Sequence, residues 1–264
     1  MRIWHQSLAE LGTLAPYRAA LETRIPTLVD DGVEVAIHGA PEGCYGGLPP
    51  AALLKYPYAK YRIHDQMLAN VAQAERDGFD AFAFCTFAEP LLRQCRSLVD
   101  IPVTSMLESS LLVGCTLARK VALITLAPGN VVRLTEQIER HALKDRIGGI
   151  YPLDPPVTEF DLTAAFDDPG PLLDNFMAAA RRAVAAGADC VIPAEGVLAE
   201  VLAAQRVDRV EGAAVMDCMA VVLGWTEMMV RLRRRCGLGV GRQWDHARPP
   251  GDVMAALEAY FGAL

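Results

Sequence analysis

Short runs rich in Val, Ile, Ala and Phe recur along this chain, and longer stretches with helical spacing separate them. The runs "MRIWHQ" at 1–6, "GVEVAIHG" at 32–39, "FDAFAFCT" at 79–86 and "DIPVTSM" at 100–106 read as strands. So do "KVALITLAP" at 120–128, "GGIYPLDP" at 148–155, "ADCVIPAE" at 188–195 and "EGAAVMD" at 211–217. Residues 61–78, 107–119, 131–143, 172–187 and 197–206 read as helices, and Gly78 and Gly187 are ordinary C-terminal stops for two of them. Strands that alternate with helices build a parallel sheet covered on its faces. That burial explains why the runs stay apolar instead of alternating. The fold class is α/β.

One part of this pattern occurs twice. "GFDAFAFCTFAEPLL" at 78–92 and "GADCVIPAEGVLAEV" at 187–201 align so that Gly78 meets Gly187, Asp80 meets Asp189 and Thr86 meets Glu195. An Ala-rich helix with Arg in its last turns precedes each copy. The period is too long for a solenoid. It points to two similar Rossmann-like parallel-sheet halves, with residues 1–110 plus 214–264 forming the first and 111–213 the second. Ligands of open α/β sheets bind beyond the carboxyl ends of the strands. Two halves facing each other would therefore place residues 85–88 and 194–197 on opposite walls of one cleft.

The candidate chemistry follows from that placement. Glu195 ends an apolar strand and can act as a general base if partial burial raises its pKa. The competing reading is an acid at a helix start, favoured by the dipole. Thr86 and Cys85 are neighbours, and successive strand residues point to opposite faces. The repeat register selects Thr86 for the cleft, and Cys85 divides evenly between core filler and reactive thiol. Phe87 and Gly196 are expected to open helices, whose free amides could hold a carboxylate or a developing oxyanion. Ser7 and Gln6 could add a hydroxyl and an amide, against an equal case for ordinary turn chemistry. The Gly- and Pro-rich stretch at 42–50 reads as a loop or lid carrying Tyr45.

Several classes are disfavoured. A net charge of −7 opposes binding to nucleic acid, and no apolar stretch is long enough to span a membrane. The N-terminus shows no signal peptide, and the odd count of 7 cysteines has no CxxC pair, so a cytoplasmic chain with reduced thiols is expected. The 5 histidines lack metal-ligand spacing, and "GLGVG" at 237–241 follows a helix, not a strand. The basic run "RLRRRC" at 231–236 suits the exposed C-terminal end of a helix. No metal and no cofactor are called for.

The chain resembles the aspartate/glutamate/hydantoin racemase superfamily, and its hydantoin racemase-like branch in particular. The stretches that carry the likeness are "MRIWHQS", "YGG", "DAFAFCTFAEP", "SLVDIPVTSMLESS", "VALITL" and "GADCVIPAEG". The resemblance implies two halves related by a pseudo-twofold axis, an active site between them, and cofactor-independent chemistry on a small-molecule substrate at a carbon next to a carbonyl. It also implies a homo-oligomer. Racemases of this family use two cysteines, one from each half, on opposite faces of that carbon. By position the first falls on Thr86 and the second on Glu195, so both are replaced here. Three outcomes stay open. Glu195 and Cys85 could form a mixed pair in an isomerase or racemase. Glu195 alone could serve an isomerisation or a decarboxylation. Glu195 could also activate water to hydrolyse a cyclic amide. A non-catalytic binder of a small acidic metabolite is the reading from another class.

Overall fold

The structure, a computed structural model, describes residues 1–262. The first part of the chain runs β1 (Arg2–Gln6), α1 (Ala15–Arg24), β2 (Glu34–His38), α2 (Pro50–Leu54), α3 (Pro57–Arg76), β3 (Ala81–Phe84), α4 (Leu92–Leu98), β4 (Val103–Ser105) and α5 (Met106–Leu117). The second runs β5 (Val121–Thr125), α6 (Gly129–Arg140), β6 (Ile147–Pro152), α7 (Glu159–Ala164), α8 (Gly170–Ala185), β7 (Cys190–Pro193), α9 (Gly196–Ala204), β8 (Arg209–Val210) and β9 (Ala213–Val215). The helices α10 (Cys218–Cys236) and α11 (Gly251–Phe261) follow.

Two sheets result. The first has the order β2-β1-β3-β4 and the second β6-β5-β7-β9-β8, with every pairing parallel except β8 against β9. Without its antiparallel edge the second sheet repeats the strand order of the first. The repeat seen in the sequence is matched bond for bond. Gly78 and Gly187 both adopt left-handed φ, 74° and 96°, at the ends of α3 and α8, where a Cβ would be strained. The Asp80 amide donates to the Arg2 carbonyl at 2.8 Å and the Asp189 amide to that of Lys120 at 3.0 Å. At the other end, the Cys85 amide donates to the Gln6 carbonyl (2.9 Å) and the Ala194 amide to that of Ile124 (2.7 Å). The two ladders end there. Thr86 and Glu195, expected as strand residues, therefore leave the sheets at the same point of the repeat.

The halves share one core. Ile3, Tyr17, Leu21 and Cys85 from the first part pack in the same buried cluster as Val121, Leu123, Val191, Ile192, Leu198 and Leu202. A second cluster, built on Trp4, Met67, Val71, Phe82 and Phe84, fills the space between the first sheet and α3. Arg24 at the end of α1 ties the elements together. Its guanidinium donates to both oxygens of Glu200 on α9 (2.7 and 2.6 Å) and to Asp217 (2.7 Å). No strand or helix pattern in the sequence pointed to α1. The expected boundary between residues 213 and 214 falls inside β9, which pairs with β7 and so belongs to the second sheet. The basic run at 231–236 forms the last turns of α10, which Gly237 ends at φ 67°.

Candidate functional site

A cavity of about 740 Å³ opens beyond the carboxyl ends of β1, β3, β5 and β7, the strands flanking the point where the order of each sheet reverses. Ser7, Cys85, Thr86 and Phe87 line one side of it, Leu126, Ala194, Glu195 and Gly196 the other. The two strand ends touch: a Cβ on Gly196 would lie 3.5 Å from the Cys85 carbonyl oxygen and 3.3 Å from the Tyr17 hydroxyl.

Glu195 is the N-cap of α9, and its carboxylate accepts from the Leu198 amide at 2.7 Å. One side chain thus both caps α9 and lines the cavity. Its environment is divided. Burial raises its pKa, the Glu159 charge adds to the rise, and the amides of Leu198, Val197 and Gly196 oppose it. The net result is a carboxyl pushed up to about 8. The residue keeps some exposure because it faces the cavity, although protein encloses it on every other side. A carboxyl of this kind is mostly protonated at neutral pH, yet close enough to ionisation to give and take a proton.

The opposite wall offers hydrogen-bonding groups. The Thr86 hydroxyl, half-buried, accepts from the Ala88 amide at 3.3 Å, and the Ser7 hydroxyl accepts from the Ala9 amide at 3.0 Å. Cys85 is 1% exposed, and burial pushes its thiol well above the usual range. It is held as a neutral thiol in the shared core and not as a thiolate.

Three expectations need correction. Gln6 is 0% exposed and looks away from the cavity: its amide donates to the carbonyls of Ser7 and Gly39 and accepts from Trp4 and Asn70. Tyr45 is buried as well. Its hydroxyl donates to the Leu8 carbonyl at 2.6 Å and its amide to Glu10, so it anchors the 42–50 loop instead of presenting a side chain to a ligand. Phe87 does not open a helix, because residues 86–91 form an irregular loop and α4 begins at Leu92. The Gly196 amide does begin α9, but it is directed at the Glu195 carboxylate.

Other groups on the cavity carried no visible signal in the sequence. Tyr17 of α1 shares a hydrogen bond with Ser7, and its phenol is raised by burial and by the nearby carboxyl groups of Glu200 and Glu195. Glu159, at the start of α7, has a carboxylate oxygen buried without a partner, and burial raises its pKa. Arg133 of α6 donates to the Phe87 carbonyl at 2.9 Å. One turn on, Gln137 donates to the carbonyls of Phe87 (3.1 Å) and Ala88 (2.8 Å), and His141 meets Glu89 at 2.8 Å. One face of a second-half helix therefore holds the first-half loop that carries Thr86. Among the described residues no cluster of His, Cys, Asp and Glu is arranged to hold a metal ion, and no helix is long and apolar enough to cross a membrane.

Comparison with known proteins places this geometry in context. The family described as Asp/Glu/Hydantoin racemase matches residues 38–223. A hydantoin racemase of Pseudomonas sp. (strain NS671) is 25% identical over 112 residues, which are 42% of this chain and 45% of that protein. A hydantoin racemase of Rhizobium meliloti is 31% identical over 85 residues, 30% of this chain and 35% of that one. The matched stretch thus spans less than half the length of either relative. Among solved structures, the allantoin racemase from Klebsiella pneumoniae superposes with a TM-score of 0.76 at 17% identity, covering 94% of both chains. The allantoin racemase from Pseudomonas fluorescens gives 0.75 at 16% identity, over 94% of this chain and 97% of that one. At these identities the structural likeness speaks for the fold.

Proposed function

Since the chain belongs to the Asp/Glu/hydantoin racemase family, we propose that it is a cofactor-independent isomerase of the racemase type, moving a proton at the carbon next to a carbonyl of a small carboxylate, hydantoin or related cyclic amide. The observation that carries this reading is Glu195, a carboxyl pushed up to about 8 on the wall of the cleft between the halves. In its ionised form Glu195 takes the α-proton. The bond's electron pair moves into the carbonyl, forming an enolate, and a proton returned to the carbon completes the turnover. The hydroxyls of Thr86, Ser7 and Tyr17 hydrogen-bond the developing oxyanion. Cys85, a neutral thiol that lines the cavity beside Thr86, would donate the proton to the opposite face. It would then be restored by solvent.

The asymmetry of the walls favours a second reading, decarboxylation of an activated carboxylate. There the C–C bond breaks, CO₂ leaves, and the electron pair stays behind as the enolate. Only one proton is needed. Glu195, mostly protonated at neutral pH, can supply it and recover it from water. The test is to incubate single enantiomers of 5-substituted hydantoins and α-substituted malonates with the enzyme, following chirality and released CO₂. Loss of optical purity without gas supports racemisation, and gas without racemisation of the hydantoins supports the lyase. Neither change in any substrate would contradict both.

A further inference from the structure

The inner stripe of α3 carries the apolar and buried residues Met67, Val71 and Ala74. Followed back by helical steps, the same stripe reaches His64 and Lys60, and both line the cavity. A lysine at the head of a core-facing stripe is costly unless something pairs with it. Among the described residues the Lys60 ammonium makes neither a hydrogen bond nor an ion pair, although the residue is half-buried. Burial lowers its pKa, and the charges of Arg133 and Arg140 lower it further.

Arg133 stands in the same condition. It lines the cavity, burial disfavours its charge, and its hydrogen bonds go to the neutral groups of Phe87 and Gln137. Among the described residues no carboxylate lies within ion-pair distance of Arg133. The nearby acids compensate only at longer range: Glu195, Glu89 and Glu159 act on Arg133, with Glu89 itself bound to His141, and Glu136 acts on Lys60. Both Glu195 and Glu159 have raised pKa values, which reduces the negative charge they offer. Beside them His64 is 4% exposed with an unpartnered Nε2, and the pair of cations together with burial holds its pKa down to about 3. It adds no charge. Two unpaired, desolvated cations against one wall raise the positive potential of that end of the cavity. The cavity itself, at about 740 Å³, falls within the range of about 300–1,000 Å³ that takes drug-sized ligands, so it has room for more than a bare five-membered ring.

We propose that Lys60 and Arg133 form an anion subsite, and that the substrate bears a carboxylate arm in addition to the carbonyl-flanked carbon presented to Glu195. The identity of the reacting carbon rests on the proton-transfer reading above, whereas the subsite does not. Arg133 also holds the Phe87 carbonyl, so Lys60 is the residue to perturb. The probes are two isosteric pairs: hydantoins bearing a 5-carboxyethyl or a 5-carbamoylethyl group, and an α-substituted dicarboxylate or its distal monoamide. Binding is read by calorimetry and thermal shift.

The wild-type protein should bind one carboxylate probe about tenfold or more tighter than its amide partner, since hydrogen bonds to charged groups exceed neutral ones by about that much. Lys60→Gln should bring this ratio close to one, and Lys60→Arg should restore most of it. Equal binding of both members of each pair, binding of none, or a ratio unchanged in Lys60→Gln would overturn the subsite. A carboxylate preference without deuterium uptake at the α-carbon would leave the subsite standing and remove the proton-transfer reading.

Discussion

Replacing Glu195 with Gln should change how the protein's stability responds to pH, in a direction that the site geometry dictates. Gln keeps an acceptor oxygen for the Leu198 amide, so the cap of α9 survives and only the ionisation is removed. In the folded wild type the carboxyl titrates at about 8, against 4.5 for an ordinary glutamate. Between those values the folded state holds a proton that the unfolded chain has lost. The stability associated with this group is therefore complete below about pH 4.5 and is lost as the pH rises through about 8. Each pKa unit corresponds to about 1.36 kcal/mol, so the ceiling is about 5 kcal/mol. The carboxyl keeps contact with cavity water, which screens it, and about 1–2 kcal/mol is the realistic range. In a chain of this size that corresponds to about 2–8 °C in Tm. The assay is thermal unfolding of both proteins from pH 5 to pH 9, compared as a difference because other groups titrate as well. The Tm of wild type should fall relative to that of Glu195→Gln as the pH rises. Parallel curves would refute the buried, near-neutral carboxyl.

Further predictions concern the groups around it. Arg24→Leu removes both partners' cation and strands Glu200, 1% exposed, so it should cost about 3–5 kcal/mol, read by denaturant unfolding. Gln137→Leu leaves the Ala88 carbonyl without its donor and the Phe87 carbonyl with Arg133 alone, and should cost about 1–3 kcal/mol, with faster hydrogen exchange over 86–91. Iodoacetamide applied to the native protein should modify exposed Cys236 and leave Cys85 intact, as peptide mapping would show; prompt labelling of Cys85 would contradict its burial. Where turnover is found, kcat/KM should depend on a group titrating near pH 8, and that dependence should vanish with the residual activity of Glu195→Gln.

The legible part of this protein was its backbone. Gly78 and Gly187, Asp80 and Asp189 occupy matching positions because the same helix stop and strand start were built twice, and short-range patterns of this kind survive in one sequence. The register of the repeat carried Thr86 and Glu195 to the cavity. Side-chain direction was harder to read. Gln6 follows Trp4 by two residues on β1, so the period of a strand turns it toward α3 with Trp4 and Asn70, away from the cavity wall. Tyr45 sits in a loop rich in Gly, whose composition gives no hint that Leu8 and Glu10 bind it down. Tyr17, Arg133 and Glu159 reach the site from helices α1, α6 and α7. Their contacts arise when the two halves pack together, and no local spacing encodes them. Lys60 did leave a trace, as a charged residue on the apolar stripe of α3.

The central claim is that Glu195 moves the proton. Solvent-deuterium incorporation at the α-carbon of candidate hydantoins and carboxylates, followed by NMR in D₂O, tests it most directly. Wild-type enzyme should exchange that hydrogen, and Glu195→Gln, shown to be folded, should lose at least about a hundredfold of the rate. Equal exchange by the two proteins would contradict the claim.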